Sequence, residues 1–423
     1  MSTALLTDRY ELTMVQAALR SGKADRESVF EVFTRSLPPG RRYGVLAGTG
    51  RLLEAIKNFR FGASELEFLL SQDIVDQATA DWLSNYKFSG SINGYREGEL
   101  FFAGSPVLRV ESSFAEAVLL ETVILSILNY DSAVASAAAR MRYAAGDRYL
   151  AEMGARRANE HAAVAAARAA YIVGFDASSN LEAGRSYGVP TMGTSAHSFT
   201  LLHDTESEAF KSQLDSMGTD TTLLVDTYDV EAAVREAVRL TDGKIAAVRL
   251  DSGDLTVAAR KVRSLLDELG ATETKIVVTS DLDEYTIAAL AAAPVDRYGV
   301  GTSLVVGSGH PTVGFVYKLV SHFDGENWVD VAKTSASKSN RAGKKFASRN
   351  VETGTARQEL VGGPSQGRPL QVELVSQGEI DQAATGQKGV IQARSHHQEV
   401  LAELPESAFR LSNGEPAIPT VFV

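Results

Sequence analysis

Residues 245–254 carry the sequence Ile-Ala-Ala-Val-Arg-Leu-Asp-Ser-Gly-Asp, an apolar run that ends abruptly in polar residues. A short, continuous apolar run is typical of a strand that is buried on both faces of a sheet. Comparable runs recur along the middle of the chain at 189–192, 223–225, 276–278 and 298–300. Amphipathic stretches lie between them, and the resulting period of ~25–35 residues is the length of a strand–helix unit. This alternation predicts a parallel α/β barrel or a doubly wound sheet.

The chain on either side of this region has a different pattern. Residues 1–125 mix short helices and strands, and two apolar runs within 100–110, separated by a Gly-Ser-Pro turn, predict a hairpin. Strand-like runs return after residue 310. We therefore predict an N-terminal α/β domain over 1–125, an irregular α/β barrel over 126–310, and a C-terminal segment over 311–423 that returns to complete the N-terminal domain.

Composition excludes several classes of protein. The 423 residues are 44% hydrophobic and 22% charged, which is ordinary for a globular protein and argues against global disorder. The formal net charge of −11 makes the chain a poor candidate for binding nucleic acid. The absence of cysteine excludes disulfides, thiolate metal sites and cysteine nucleophiles. The start of the chain does not resemble a signal peptide and no long apolar run is evident, so we expect a cytoplasmic protein without a membrane span.

Polar residues follow the predicted strands at the point where each strand ends. Asp226, Asp251 and Asp281 come shortly after three of the runs, and His197 follows the small residues Gly-Thr-Ser-Ala. Because the carboxyl ends of parallel strands meet at one face, these side chains are expected to lie together and to form an active site. The alternative is that each aspartate only caps the helix that follows it.

Two further patterns indicate sites for phosphate. The sequence Gly-Val-Gly-Thr-Ser at 299–303 follows the last strand, and its glycines would let backbone amides approach a phosphate, although a plain tight turn explains it equally well. Arg156 and Arg157 form a pair beside a glycine, which suits pyrophosphate or carboxylate; an exposed helix pair is the alternative. A basic loop over 335–349 is either a local anion attractor or a solvated loop, with its cations at Lys338, Arg341, Lys344, Lys345 and Arg349.

Several strings, taken in order, resemble the nicotinate phosphoribosyltransferase family over essentially the whole chain. They are Leu-Leu-Thr-Asp-Arg-Tyr-Glu-Leu-Thr-Met at 5–14, Phe-Glu-Val-Phe-Thr-Arg at 30–35, Gly-Ala-Arg-Arg-Ala at 154–158, Gly-Thr-Ser-Ala-His-Ser at 193–198, Leu-Leu-Val-Asp-Thr-Tyr at 223–228 and Val-Arg-Leu-Asp-Ser-Gly-Asp at 248–254. No single motif is decisive, but the ordered set is highly specific.

The resemblance implies a type II phosphoribosyltransferase fold and a homodimer. It implies that nicotinate and phosphoribosyl pyrophosphate are joined to give nicotinate mononucleotide and pyrophosphate. ATP hydrolysis would be coupled to this reaction through a phosphorylated histidine, with Mg²⁺ as the metal.

The resemblance also implies roles for individual residues. His197 would be the phosphorylated histidine, and Asp251 would lie near the ribose or the metal. Tyr10 would stack on the pyridine ring, while Thr194 and Arg249 would hold nicotinate. The remaining substrate contacts fall on the phosphate-binding residues, namely Gly301 and Thr302 for the ribose phosphate and Arg156 for phosphate or pyrophosphate.

Two departures from the family pattern stand out, and several alternatives stay open. Met153 occupies a position where relatives often have a phenylalanine, and the loop after Arg341 lacks a proline that is common there. The alternatives are a quinolinate phosphoribosyltransferase, which would need more basic residues and no ATP, a nicotinamide phosphoribosyltransferase, and a non-enzymatic metabolite-binding paralogue. A barrel aldolase is disfavoured because none of the predicted strand ends offers a Schiff-base lysine.

Overall fold

The computed structural model describes residues 2–333, 340–363 and 367–423. The chain divides into two compact units, one formed by Met1–Ser136 with His310–Val423 and the other by Ala137–Gly309.

The strands and helices are numbered in chain order. The strands are β1 (Glu27–Thr34), β2 (Gly44–Val45), β3 (Ser91–Tyr95), β4 (Leu100–Phe101), β5 (Leu108–Ser113), β6 (Tyr149–Glu152), β7 (Ala177–Ser178), β8 (Thr222–Leu224), β9 (Ala247–Leu250), β10 (Lys275–Val278), β11 (Arg297–Val300), β12 (Phe315–Phe323), β13 (Trp328–Asp330), β14 (Phe346–Glu352), β15 (Thr355–Gly362), β16 (Arg368–Pro369), β17 (Gln371–Ser376), β18 (Glu379–Ile380) and β19 (Thr420–Phe422). The helices are α1 (Arg9–Arg20), α2 (Thr49–Lys57), α3 (Ala63–Ser71), α4 (Gln77–Ser84), α5 (Phe114–Val118), α6 (Glu121–Ala145), α7 (Glu160–Ile172), α8 (Leu181–Tyr187), α9 (His197–Leu202), α10 (Glu206–Met217), α11 (Val230–Thr241), α12 (Leu255–Glu268), α13 (Glu284–Ala289), α14 (Thr302–Val305) and α15 (Gly386–Leu401).

The second unit is built on a curled parallel sheet with the strand order β7-β6-β11-β10-β9-β8, an incomplete α/β barrel. Val278 of β10 is in register with Leu250 of β9 and with Tyr298 of β11, so the carboxyl ends of these strands lie nearly level. Side chains of α11 and α12 are buried at a helical spacing, for example Ala233 and Ala237 in α11 and Leu255 and Ala259 in α12, as expected for helices that cover a sheet. The predicted parallel α/β fold is confirmed, and it brings the residues after β8, β9 and β10 to one edge.

The first unit contains a mostly antiparallel sheet with the strand order β13-β12-β1-β5-β3-β17-β18. Strand β1 is an interior strand, because Val32 pairs with Tyr317 of β12 on one side and with Leu108 of β5 on the other. The C-terminal segment supplies β12, β13, β17 and β18, so it completes the sheet that the N-terminal segment begins. A second sheet of this unit, β16-β14-β15-β19, is built from the C-terminal segment alone.

Three local predictions are wrong. Residues 100–110 are not a hairpin, because β4 pairs with β2 while β5 pairs with β1 and β3. Residues 189–192 contribute only an isolated bridge from Thr191 to Ser178 instead of a strand. The predicted loop over 335–349 ends early, because β14 begins at Phe346 and continues through Arg349.

One helical segment of the described chain, Phe114–Ala145, is long and apolar enough to cross a membrane by length and composition alone. In this structure 61% of its most apolar window is buried inside the protein. Because a core helix passes the same test, the segment is weak evidence for a membrane span.

Candidate active site

The Arg249 side chain is held at the carboxyl edge of the curled sheet by three neighbouring segments. Its Nε donates to Thr279 Oγ1 at 2.9 Å, Nη1 donates to Thr194 Oγ1 at 3.1 Å, and Nη2 donates to Asp251 Oδ1 at 2.8 Å. The side chain is only 12% exposed. These contacts fix the plane of a guanidinium fork, the group that best matches the geometry of a carboxylate or a phosphate.

Asp251 is kept ionised by its neighbours. Desolvation by burial is the largest single influence and would raise the pKa of Asp251, but hydrogen bonds from Thr279 and Arg249 together outweigh it and the pKa is lowered. The Thr279 hydroxyl and Arg249 Nη2 both donate to the same oxygen, Oδ1. The other oxygen, Oδ2, faces the imidazole of His197 at 3.9 Å.

Asp226 is more buried than Asp251, with its side chain 4% exposed against 30%. Its Oδ2 accepts from the backbone N of Asp251 at 2.8 Å and from Ser252 Oγ at 2.7 Å. Its Oδ1 has no hydrogen-bond partner among the residues that the structure describes, and it lies 3.9 Å from His197 Nε2. A buried carboxylate oxygen without a donor is costly, so this atom is suited to a cation or to a protonated imidazole.

His197 begins α9, and its ring lies between these two carboxylates. Nδ1 is 3.1 Å from Thr227 Oγ1, while Nε2 is 3.9 Å from both Asp226 Oδ1 and Asp251 Oδ2. The side chain is 39% exposed, so a ligand can reach it. An accessible imidazole with a fixed ring and two adjacent carboxylates can act as a general base or as a nitrogen nucleophile.

Helix capping explains some of the acidic residues after the strands but not the two in the cluster. Asp229, Asp254 and Asp283 accept hydrogen bonds from the first turns of α11, α12 and α13. Asp226 and Asp251 cap no helix, and both point their carboxylates at His197 instead. The distinction separates structural aspartates from candidate functional ones, which the sequence pattern alone does not do.

A cavity of about 240 Å³ opens beside this cluster. Arg156, Arg249, Asp251, Gly301 and Thr302 are among the residues that line it. The structure therefore brings the predicted arginine, carboxylate and glycine-turn residues together in one cavity. Thr194 does not line this cavity, but it lines a neighbouring one and accepts a hydrogen bond from Arg249.

Glu152 is a buried residue of this edge that the sequence did not reveal. It is fully buried at the end of β6, where its carboxylate accepts from the Gly154 backbone N and from Ser178 Oγ. Burial raises its pKa, although both hydrogen bonds act in the opposite sense. Because Gly154 begins the turn that carries Arg156, Glu152 fixes the start of the arginine loop. Strand β6 is four residues long and lies between alanine-rich helices, so no periodicity marked it.

Tyr10 lies on α1 of the first unit and is 45% exposed. Burial of its hydroxyl, followed by the neighbouring Glu121 and Glu11 carboxylates, raises the pKa of Tyr10. The phenol therefore stays protonated, and its ring presents an accessible aromatic face. Its predicted contact with the pyridine ring stays a prediction.

The basic loop is divided between paired and accessible cations. Lys345 pairs with Glu31 at 2.8 Å, and Arg349 is fully buried, so neither is a solvated charge. Lys344 pairs with Glu111 at 2.7 Å. Arg341 stacks over Phe422 at the wall of a cavity of about 320 Å³. Lys338 lies outside the described residues.

Within residues 2–333, 340–363 and 367–423, no group of three or more His, Asp or Glu side chains could hold a metal ion by itself. Asp226 and Asp251 offer two carboxylates, which fits Mg²⁺ only in its usual mode, with substrate oxygens and water as the other ligands.

Comparison with known proteins identifies the family. Residues 5–129 match the nicotinate phosphoribosyltransferase N-terminal domain, and residues 149–362 match the nicotinate phosphoribosyltransferase family. Nicotinate phosphoribosyltransferase pncB1 of Mycobacterium tuberculosis is 54% identical over 98% of this chain and 94% of its own length. The enzyme of Bacillus subtilis is 38% identical over 79% of this chain and 70% of its own length.

A solved structure agrees with this assignment. The crystal structure of human nicotinic acid phosphoribosyltransferase matches with a TM-score of 0.84 and 25% identity, covering 98% of this chain and 97% of the human chain. Both family models, curated relatives from two bacteria and a full-length structural match thus agree. The chain is an enzyme that belongs to the nicotinate phosphoribosyltransferase family.

Proposed function

We propose that this enzyme transfers the phosphoribosyl group of phosphoribosyl pyrophosphate to nicotinate, and that ATP hydrolysis is coupled to the transfer through a phosphohistidine at His197. The observation that carries the proposal is the shared cavity, in which the oriented guanidinium of Arg249 faces the same space as Arg156 and the turn at Gly301. One end of the cavity suits a carboxylate and the other suits phosphates.

The acid substrate is favoured by the fork of Arg249. A carboxylate that is removed from water requires a charged partner. The guanidinium of Arg249 supplies that charge and keeps one N–H of Nη2 that is not used by Thr279, Thr194, Ser195 or Asp251. An amide in the same place would meet a cation without neutralising it. The arrangement supports nicotinate over nicotinamide as the substrate.

The ribose phosphate is assigned to the turn after β11. Gly301 leaves its backbone open toward the cavity, and Thr302 adds a hydroxyl group. Arg156 and Arg157 lie in the same lining and suit the pyrophosphate that leaves. These assignments rest on the family pattern and on the composition of the cavity wall.

Coupling to ATP is assigned to the acidic cluster. His197 is accessible and its ring is oriented by Thr227. Asp226 and Asp251 would hold Mg²⁺ together with substrate oxygens, and the metal would supply positive charge to pyrophosphate when bound. Among the described residues, Oδ1 of Asp226 is one of the buried carboxylate oxygens without a hydrogen-bond partner, and it is the one that lies beside His197.

A product assay tests the proposal directly. The purified enzyme is incubated with phosphoribosyl pyrophosphate, Mg²⁺ and either nicotinate, nicotinamide or quinolinate, with and without ATP. Of the three pyridine substrates, only nicotinate should give its mononucleotide. The rate should be higher with ATP, and one ADP should be released for each nicotinate mononucleotide formed. Preferred use of nicotinamide or quinolinate would contradict the substrate assignment, and indifference to ATP would contradict the coupling. The homodimer and the cytoplasmic location stay predictions.

Gly301→Val is expected to raise the KM for phosphoribosyl pyrophosphate at least about tenfold while the fold survives, because the added side chain blocks close approach of a phosphate. An added Cβ would meet only Met153 O at 3.4 Å and more distant atoms, so the native packing tolerates its first carbon. Gly299→Val is the matched comparison, because a Cβ there would lie 2.5 Å from Thr279 and 2.6 Å from the Met153 sulfur. Gly299→Val should therefore lower the melting temperature, whereas Gly301→Val should leave it nearly unchanged. An unchanged KM in Gly301→Val would reduce this turn to a structural role.

A further inference from the structure

A second cavity, of about 170 Å³, lies on the inner face of the curled sheet and shares one wall with the candidate active site. One part of its wall is apolar or aromatic and is formed by Tyr149, Met192, Met217, Val277 and Tyr298. The rest of the wall is polar and includes Thr194, Thr221, Thr222, Asp220 and Arg297. Met153 is in the lining of both cavities. The site cavity and the inner cavity are therefore neighbours, and the Met153 side chain lies between them.

The position of Met153 follows from the pleat of β6. Tyr149, Ala151 and Met153 alternate along the chain and face the same side, as successive odd residues of a strand do. Across from them, Gly299 of β11 has no side chain, and a Cβ added there would lie 2.6 Å from the Met153 sulfur. The thioether thus occupies the space that a residue at position 299 would otherwise fill.

We propose that Met153 sets the size limit for the pyridine substrate, and that the inner cavity is a latent extension of the substrate site for alkyl-substituted pyridine carboxylates. This inference rests on the proposed transfer to nicotinate. Methionine is unbranched and flexible, so its side chain can fill the space between the two cavities and still adjust its position. The apolar part of the lining, at Met192 and Val277, gives an alkyl group a favourable environment once the thioether is shortened.

The test compares selectivity rather than activity alone. The variants are Met153→Ala, Met153→Phe and Met192→Ala. Each is assayed with nicotinate and with free nicotinic acids that carry a methyl or an ethyl group on one of the ring carbons. For at least one nicotinate with an ethyl group on a ring carbon, Met153→Ala should raise kcat/KM relative to nicotinate about tenfold or more, which is the scale of one methylene group in an apolar pocket. Met153→Phe should lower the same ratio below that of the unaltered enzyme. Met192→Ala enlarges only the inner cavity and should leave the ratio within about twofold.

The proposal is overturned if no analogue gains in Met153→Ala while nicotinate is still used, or if Met192→Ala gives the same gain. Met153→Val provides a milder truncation if the alanine variant does not fold, and it should shift the ratio in the same direction. Calorimetric binding of the same acids separates this inference from the proposed function. In Met153→Ala, the Kd for a ring-alkylated acid should fall relative to the Kd for nicotinate. If the unaltered enzyme does not transfer a phosphoribosyl group to nicotinate, that result contradicts the proposed reaction but not this inference.

Discussion

Arg249→Ala should raise the KM for nicotinate by about 100-fold, equivalent to a loss of roughly 3 kcal/mol of binding free energy. The guanidinium is nearly buried and fixed by Thr194, Asp251 and Thr279, so its removal leaves a substrate carboxylate without a charged partner. Initial rates at saturating phosphoribosyl pyrophosphate, measured over a range of nicotinate concentrations, give the KM directly. The KM for nicotinamide, measured in parallel, should change much less, so discrimination between acid and amide falls.

Arg249→Lys is the matched control, because it keeps a charge but lacks the planar fork. It should recover only part of the lost affinity. Asp251 also loses a hydrogen bond in either variant, so thermal unfolding of both proteins is compared with that of the unaltered enzyme. If nicotinamide is the better substrate of the unaltered enzyme, or if Arg249→Ala leaves the nicotinate KM unchanged, the assignment of Arg249 is wrong.

The grouping of residues at the strand ends could be predicted because it depends on a general property of parallel sheets. Arg249 and Asp251 belong to β9 and its exit, while Thr279 follows β10, and the observed register brings all three into contact. No sequence pattern gives the register itself. The direction of the chain in each strand–helix unit was enough, because it sends every carboxyl end to the same edge.

Ion pairs between residues that are far apart along the chain could not be predicted from the sequence. Arg349 was assigned to a basic loop, yet it is fully buried and donates to Glu99 at 2.7 Å and to Glu359 at 2.8 Å. Glu99 is 250 residues away along the chain, so local composition carries no trace of the pair. The same reasoning applies to β4, whose partner β2 lies in a segment with no strand pattern of its own.

Burial of a carboxylate cannot be predicted from a single sequence either. Glu152 has no distinguishing sequence pattern, and the pattern gives Asp226 the same standing as the other aspartates after strands. In the structure the first holds the arginine loop, and the second has an oxygen without a donor among the described residues. Only the three-dimensional neighbours distinguish them from the capping aspartates. The candidate site was therefore predictable in its membership at strand ends and unpredictable in the supporting groups that orient it.

His197→Ala is expected to abolish nicotinate-dependent ATP hydrolysis and to leave a weak transferase that is independent of ATP. The reason is spatial, because the imidazole lies between Asp226 and Asp251 and is not in the lining of the cavity assigned to nicotinate and ribose phosphate. Its loss removes the proposed acceptor of the phosphoryl group without removing either substrate site. ADP release and nicotinate mononucleotide are measured in the same reaction, so that coupling is obtained as their ratio.

Labelling with γ-³²P-ATP makes the same prediction independently of turnover. The unaltered enzyme should yield a phosphoprotein that is labile in acid and stable in base, with the label on the peptide that contains His197. His203→Ala is the matched control, since that imidazole is at the end of the same short helix and its Nδ1 contacts the Phe199 carbonyl. It should label and couple normally. A purely structural His197 would behave differently, because its removal would lower thermal stability and both activities together, with no change in the ratio of ADP to product. Label on another residue, or full coupling in His197→Ala, would show that the two carboxylates orient the ring for some other purpose.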